Sequence, residues 1–213
     1  MPHSSETQIS SRKQPKQSRS SALVTAILQA SIRVLAQGGA QHFTTARVAA
    51  AAGVSIGSLY QYFPNKASIL FRLQSDEWQR TSDLLKQILE DQRQPPLTRL
   101  RILVHAFLRS ECEEADLRVA LNDAAPLYRH APETHSAMAE TDRAVQRFML
   151  DALPDSDAAT RARVGELIIT SLTEFGEKFS ENSRGEAEIT AYADAMADMF
   201  CAYLKTLQAA AGG

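Results

Sequence analysis

Thr44-Thr45-Ala46-Arg47-Val48-Ala49-Ala50-Ala51-Ala52-Gly53-Val54-Ser55-Ile56-Gly57-Ser58-Leu59-Tyr60-Gln61-Tyr62-Phe63 is the stretch that decides the fold. Two helices crossing steeply through a three- or four-residue turn need a small residue where their backbones meet. They also need a residue tolerant of positive φ in the turn, and apolar groups to close the wedge. Ala49, Gly53, and then Val54 and Leu59 supply these in order. Thr44 or Thr45 caps a short helix running to about Ala52, and Ser55 caps another ending near Phe63. With Leu59 turned inward, Gly57, Ser58, Tyr60, Gln61 and Tyr62 are left as a mixture of small, hydroxyl, amide and aromatic groups. Such a face suits a major groove: glycine and serine permit close approach, glutamine pairs with a base edge, and tyrosine hydroxyls reach phosphate oxygens. Thr45 and Lys66, each at the start of a helix, bracket the same backbone with N–H groups and a point charge.

Upstream, Val24, Ile27, Leu28, Ser31, Val34 and Leu35 recur at steps of three and four from Ser18 onward, and Gly38-Gly39 supplies a stop. Downstream, Pro64 ends the third helix and Asn65 caps a long fourth, with Ile69, Leu70, Leu73, Leu84 and Ile88 among its apolar positions, reaching Pro95-Pro96. Five more periodic segments follow, near residues 97–114, 116–122, 133–153, 156–181 and 186–207. In the last two, Val164, Leu167, Ile168, Ser171, Leu172, Phe175 and Phe179 share one face, as do Ile189, Tyr192, Met196, Met199, Phe200, Tyr203 and Leu207. No segment alternates as a strand. The fold class is all-α with about nine helices, divided into an arm at 1–17, a helix-turn-helix head at 18–66 and a larger body at 67–213. The arm is rich in Ser, Gln and basic side chains and poor in large apolar ones, so burial cannot offset the entropy of ordering it.

A net charge of -2 over 213 residues hides a division along the chain. Up to Lys66, seven basic residues (Arg12, Lys13, Lys16, Arg19, Arg33, Arg47, Lys66) face the single acid Glu6, giving +6 and leaving -8 for the rest. Phosphate affinity depends on the local field, so the basic end is the one expected to meet a polyanion. The longest uncharged run, residues 48–65, holds two glycines, a proline and many hydrogen-bonding side chains, so no transmembrane span is expected. The apolar stretch 22–32 is broken by Gln29 and Ser31, with Arg33 following, which argues against a secretory signal. Cys112 and Cys201 lack the spacing of a zinc site or disulfide framework, which fits a reducing cytoplasm.

The Thr-Thr opening, the Ala-Ala-Gly-Val-Ser turn and above all Gly57-Ser58-Leu59-Tyr60-Gln61-Tyr62-Phe63-Pro64-Asn65-Lys66 resemble the TetR family of bacterial regulators. The run resembles that family's strongest signature, a Leu-Tyr pair followed by an aromatic tail, a turn and a lysine opening helix four. The resemblance covers helix one through early helix four. It implies a three-helix DNA-binding head, a divergent helical body with an internal ligand pocket, and dimerisation through the last two long helices. By position it assigns Thr45, Gly57, Ser58, Tyr60, Gln61, Tyr62 and Lys66 to contact with double-stranded DNA. Ile56 stands where many relatives place a polar or charged residue, leaving both a thymine-methyl contact and simple packing open. The expected function is a ligand-responsive regulator, a repressor that binds a palindromic operator as a homodimer and is released by a small-molecule effector; the alternative is a ligand-independent DNA-binding adaptor of the same fold.

Elsewhere the signals are weak. His105, His130 and His135 lack a carboxylate or cysteine at ligand spacing, so no metal is expected. Cys112 lies beside Glu111, Glu113 and Glu114, a field that disfavours a thiolate. No nucleophile-base pair, phosphate-cradling glycine loop or cofactor motif points to an enzyme. Trp78, Phe107, Tyr128, Phe148, Met149, Phe175 and Phe179 serve a core or a pocket equally well, and the sequence does not divide them.

Overall fold

The computed structural model describes residues 18–124 and 134–211, where nine helices form and no strand does. They are α1 (Ser18–His42), α2 (Thr45–Ala52), α3 (Ile56–Tyr62), α4 (Lys66–Leu89), α5 (Pro96–Glu113), α6 (Ala115–Ala124), α7 (Thr134–Ala152), α8 (Ala158–Ser180) and α9 (Glu186–Ala211). The arm at 1–17, Tyr128 and His130 lie outside the described residues, as does the side chain of His135. Packing divides the chain into two units. The first takes residues 18–77 and 116–124, the second 78–115 and 134–211. This does not follow the sequence division at residue 66, because the start of α4 and all but the first residue of α6 pack with the head.

Local chemistry sets the helix ends in the first unit. Thr44 accepts the Arg47 N–H at 3.3 Å and caps α2, and Ser55 accepts the Ser58 N–H at 3.0 Å and caps α3. Asn65 Oδ1 accepts the Ser68 N–H at 2.9 Å at the start of α4. Gly53 closes α2 at φ 68°, ψ 29°, a left-handed position that a β-carbon would strain. Gly39, at φ 62° and ψ -177°, kinks α1 without ending it; the helix resumes to His42, whose Nδ1 lies 2.9 Å from the Gly38 carbonyl. Within α1 the stretch Ser20–His42 is, by length and composition alone, long and apolar enough to cross a membrane, contrary to the expectation that none would be. A core helix meets the same criterion, and Ile27, Ala30, Ser31 and Leu35 are buried.

Leu59 is fully buried, with Phe43, Val48, Phe63 and Ile69 also interior. Leu59→Ala is expected to cost about 2–5 kcal/mol of stability, the range for truncating a leucine in a close-packed core. A denaturant titration with an unmoved midpoint would contradict this role.

In the second unit α5 lies against α7, α8 and α9, and α7 against α8. Its core includes Leu89, Leu100, Leu103, Phe107, Phe148, Ile168, Leu172, Met196 and Phe200. In α4, Leu85 and Leu89 take the buried places, and Ile88 is only partly buried. Across the surface, Arg101, His105 and Arg109 of α5 meet Asp198, Asp194 and Glu186 of α9. The broad apolar faces of α8 and α9 prove two-sided. Val164, Ile168, Leu172, Ile189, Met196 and Phe200 turn inward, whereas Leu167, Tyr192, Met199 and Tyr203 are exposed at 50%, 46%, 55% and 37%. These helices carry more large apolar groups than their own neighbours cover.

Candidate nucleic-acid interface

Helix α3 is anchored through one side and open on the other. Leu59 and Tyr62, three residues apart, face inward, with Tyr62 only 7% exposed. Ile56, Gly57, Tyr60 and Gln61 are exposed, at spacings of one and four that put them on one face of the helix. The structure therefore separates Tyr62 from the other expected contact residues: the i,i+3 relation to Leu59 sends its ring into the first unit's core. That same spacing was the signal in the sequence.

Of the remaining positions, the structure brings Thr45 and Tyr60 together. Thr45, on the first turn of α2, has its hydroxyl 3.0 Å from the Tyr60 hydroxyl, with either atom able to donate. The two groups hold each other across 15 residues and fix the angle at which the Tyr60 ring leaves α3. Ser58 is half-buried and its hydroxyl lies 2.8 Å from that of Ser55, so it is engaged within the cap. At Gly57 an added β-carbon would meet nothing nearer than Ser55 Oγ at 3.8 Å. Among the described residues nothing requires glycine there, and the space it leaves faces outward. Lys66 is exposed at the first position of α4.

Two of the head's arginines serve the backbone as well as the field. Arg33 Nη2 donates to the Ala51 carbonyl at 3.2 Å, and Arg47 Nη1 to the His42 carbonyl at 3.1 Å. Each guanidinium thus binds an end-of-helix carbonyl while its charge stays at the exposed surface. Arg47 shares the first turn of α2 with Thr45, exposed beside the Thr44 cap; sequence reasoning counted its charge but gave it no place in the interface. The only signal was its position two residues after Thr45.

Among the described residues no cluster of His, Cys, Asp or Glu is arranged to hold a metal. His105 Nε2 lies 3.0 Å from Asp194. Cys201 is buried, and that burial pushes its thiol pKa up, so it is no ready thiolate. Phe107, Phe148, Met149 and Phe179 belong to the second unit's core.

The chain matches two family descriptions: "Bacterial regulatory proteins, tetR family" over residues 27–73, and "Tetracyclin repressor-like, C-terminal domain" over residues 95–207. It is similar to the HTH-type transcriptional repressor KstR of Rhodococcus jostii, 27% identical over 143 residues that make up 65% of each chain. The chain therefore spans about two thirds of that relative's length. Among solved structures it resembles a TetR-family transcriptional regulator of Mesorhizobium loti, with a TM-score of 0.67 and 16% identity over 88% of this chain and 98% of that one. It also resembles the regulator FadR of Bacillus subtilis in complex with stearoyl-CoA, with a TM-score of 0.66 and 14% identity over 83% and 97% of the two chains. At these identities the structural likeness concerns the fold.

Proposed function

Because the chain belongs to the tetR family of bacterial regulatory proteins, we propose that it represses transcription in the cytoplasm, binding a palindromic operator as a homodimer until a small molecule held in its second unit releases it. The observation that carries the DNA reading is the two-sided α3. Leu59 and Tyr62 fix the helix from within, while Ile56, Gly57, Tyr60 and Gln61 present one exposed face beside the Thr45 hydroxyl. A helix so held enters a major groove as a rigid unit, with side chains for base edges and hydroxyls for phosphates. Arg47 and Lys66 add charge at the flanking helix starts. The exposed apolar residues of α8 and α9 support the homodimer, since contact between copies would cover them. The repressor reading draws on KstR, a repressor by name, and the small-molecule reading on the FadR complex.

A footprint on a fragment recovered by selection from random DNA tests the proposal: one palindromic site should be protected, and protection should vanish when the effector is added. Protection that no compound relieves would leave a ligand-independent adaptor. Salt gives a second measurement. If each head neutralises two phosphates, a dimer neutralises four, and the log–log slope of affinity against salt should be about -3.6. A flat response in a salt titration would show that the acidic body cancels the head's field.

A further inference from the structure

Resting on the reading that the second unit senses a small molecule, we propose that the effector lodges in the groove between α7 and α8, and that it is an elongated apolar compound with a cationic end. The groove has a volume of about 530 Å³, within the range of small-molecule sites. Its floor is Val145, Met149 and Ile169, with the half-exposed Leu150 at one edge. Gly165 allows the helices to approach there, since a β-carbon would fall 3.0 Å from Val145 Cγ1 and 3.3 Å from Met149 Cγ.

Val145, Met149 and Ile169 also line a void of about 10 Å³ in the core, together with Leu103, Phe148 and Ile168. A space that small and apolar holds one water at most and stays dry. One layer of side chains thus separates the groove from the core, and Met149, with its flexible thioether, is the member best able to yield. An apolar tail that displaces it extends the site inward. A second cleft, of about 500 Å³ around Arg93, Arg99 and Asp151, is of similar size. Its arginines are already paired with Asp91 and Asp151, and it offers little apolar wall.

Charge decides the polar end. Asp142 and Glu166 stand on the groove and enter no ion pair among the described residues. Arg161, its one cation, donates to the carbonyls of Leu153, Pro154 and Ser156 and is held at the α7–α8 turn. At 1.5 Å per residue, Glu166 lies roughly 8 Å along α8 from it. A carboxylate ligand would meet carboxylates on both walls of the groove and a single cation already committed to backbone carbonyls, whereas an ammonium group finds carboxylates outside any ion pair beside an apolar floor.

The test uses the intact chain and three probes of equal length: dodecyltrimethylammonium, dodecanol and dodecanoate, titrated calorimetrically below micelle formation. Dodecyltrimethylammonium is expected to bind about tenfold or more tighter than dodecanol, with dodecanoate weakest. Ala162→Trp, an exposed lining position where the indole fills the groove without entering the core, should weaken the ammonium probe at least about tenfold. Asp142→Asn with Glu166→Gln should erase the preference for it over dodecanol. Dodecanoate binding as tightly as the ammonium, failure of all three to bind, or an Ala162→Trp variant binding normally would overturn the site. An Ala162→Trp variant that changes oligomeric state but not probe binding would instead identify the groove as a contact between copies. Operator release is read separately by footprint. Release by a compound indifferent to these variants sinks the groove and leaves the ligand-responsive reading standing. Groove binding with the expected preference but an unchanged footprint does the reverse.

Discussion

A chain carrying both Met199→Glu and Tyr203→Glu is expected to sediment as a monomer at micromolar concentration and to lose operator affinity by about 10²–10⁴-fold, the advantage that two linked half-site contacts hold over one. The two side chains are exposed, on the outward side of α9, while Ile189, Met196 and Phe200 on the inward side belong to the second unit's core. Replacing them therefore leaves that core intact, and far-ultraviolet dichroism should be unchanged. In the dimer, each substitution would bury an unpaired carboxylate, doubled by the twofold axis, a penalty of several kcal/mol that an apolar interface does not withstand. A stable dimer with ordinary operator affinity would place the interface elsewhere.

The second large effect falls on the head. Tyr60→Ala and Lys66→Ala should each weaken operator binding about 30-fold with the fold retained, because a contact worth roughly 1 kcal/mol is lost from both heads. They differ in kind. Lys66→Ala should lower affinity evenly across DNA sequences and flatten the salt slope by about 2 for a dimer, one phosphate per head. Tyr60 also holds the Thr45 hydroxyl at 3.0 Å, so Tyr60→Phe and Thr45→Val should each produce part of the loss, and the double variant little more than either. Anisotropy titrations at two salt concentrations measure both behaviours. Unchanged affinity in Tyr60→Ala would remove α3 from the interface.

Much of the head was legible because its decisive interactions are local. The caps Thr44, Ser55 and Asn65 bond residues three positions away, and Gly53 and Pro64 act on their own backbone, so the sequence contains both partners of each feature. Tyr62 reads outward by residue type, although an aromatic with a hydroxyl suits a core edge as well as a DNA contact, and the structure buries it to 7% exposure three residues from Leu59. The faces of α8 and α9 read as single stripes, although the structure turns Leu167 and Met199 away from Ile168 and Phe200. A stripe wide enough to serve two partners looks the same in sequence as one serving a single broad partner. The α7–α8 groove left no sequence signal, since it exists only where Gly165 meets Val145 and Met149, residues joined by packing and far from any motif.

Gly57 bears on how such a protein changes allegiance over generations. Glycine in the middle of a helix costs roughly 0.5–1 kcal/mol against alanine, and less in the first turn, where Gly57 stands; a β-carbon there would make only an ordinary contact with Ser55 Oγ at 3.8 Å. A β-carbon can be installed there without a rearrangement, so a side chain that extends outward from it projects a new group from α3. If α3 reads DNA as proposed, a lineage descended from this chain has, at one codon, a route to a different DNA sequence that leaves the core of its head unchanged. A duplicated copy could drift to a new operator while its head, held by Leu59 and Tyr62, stays as it is.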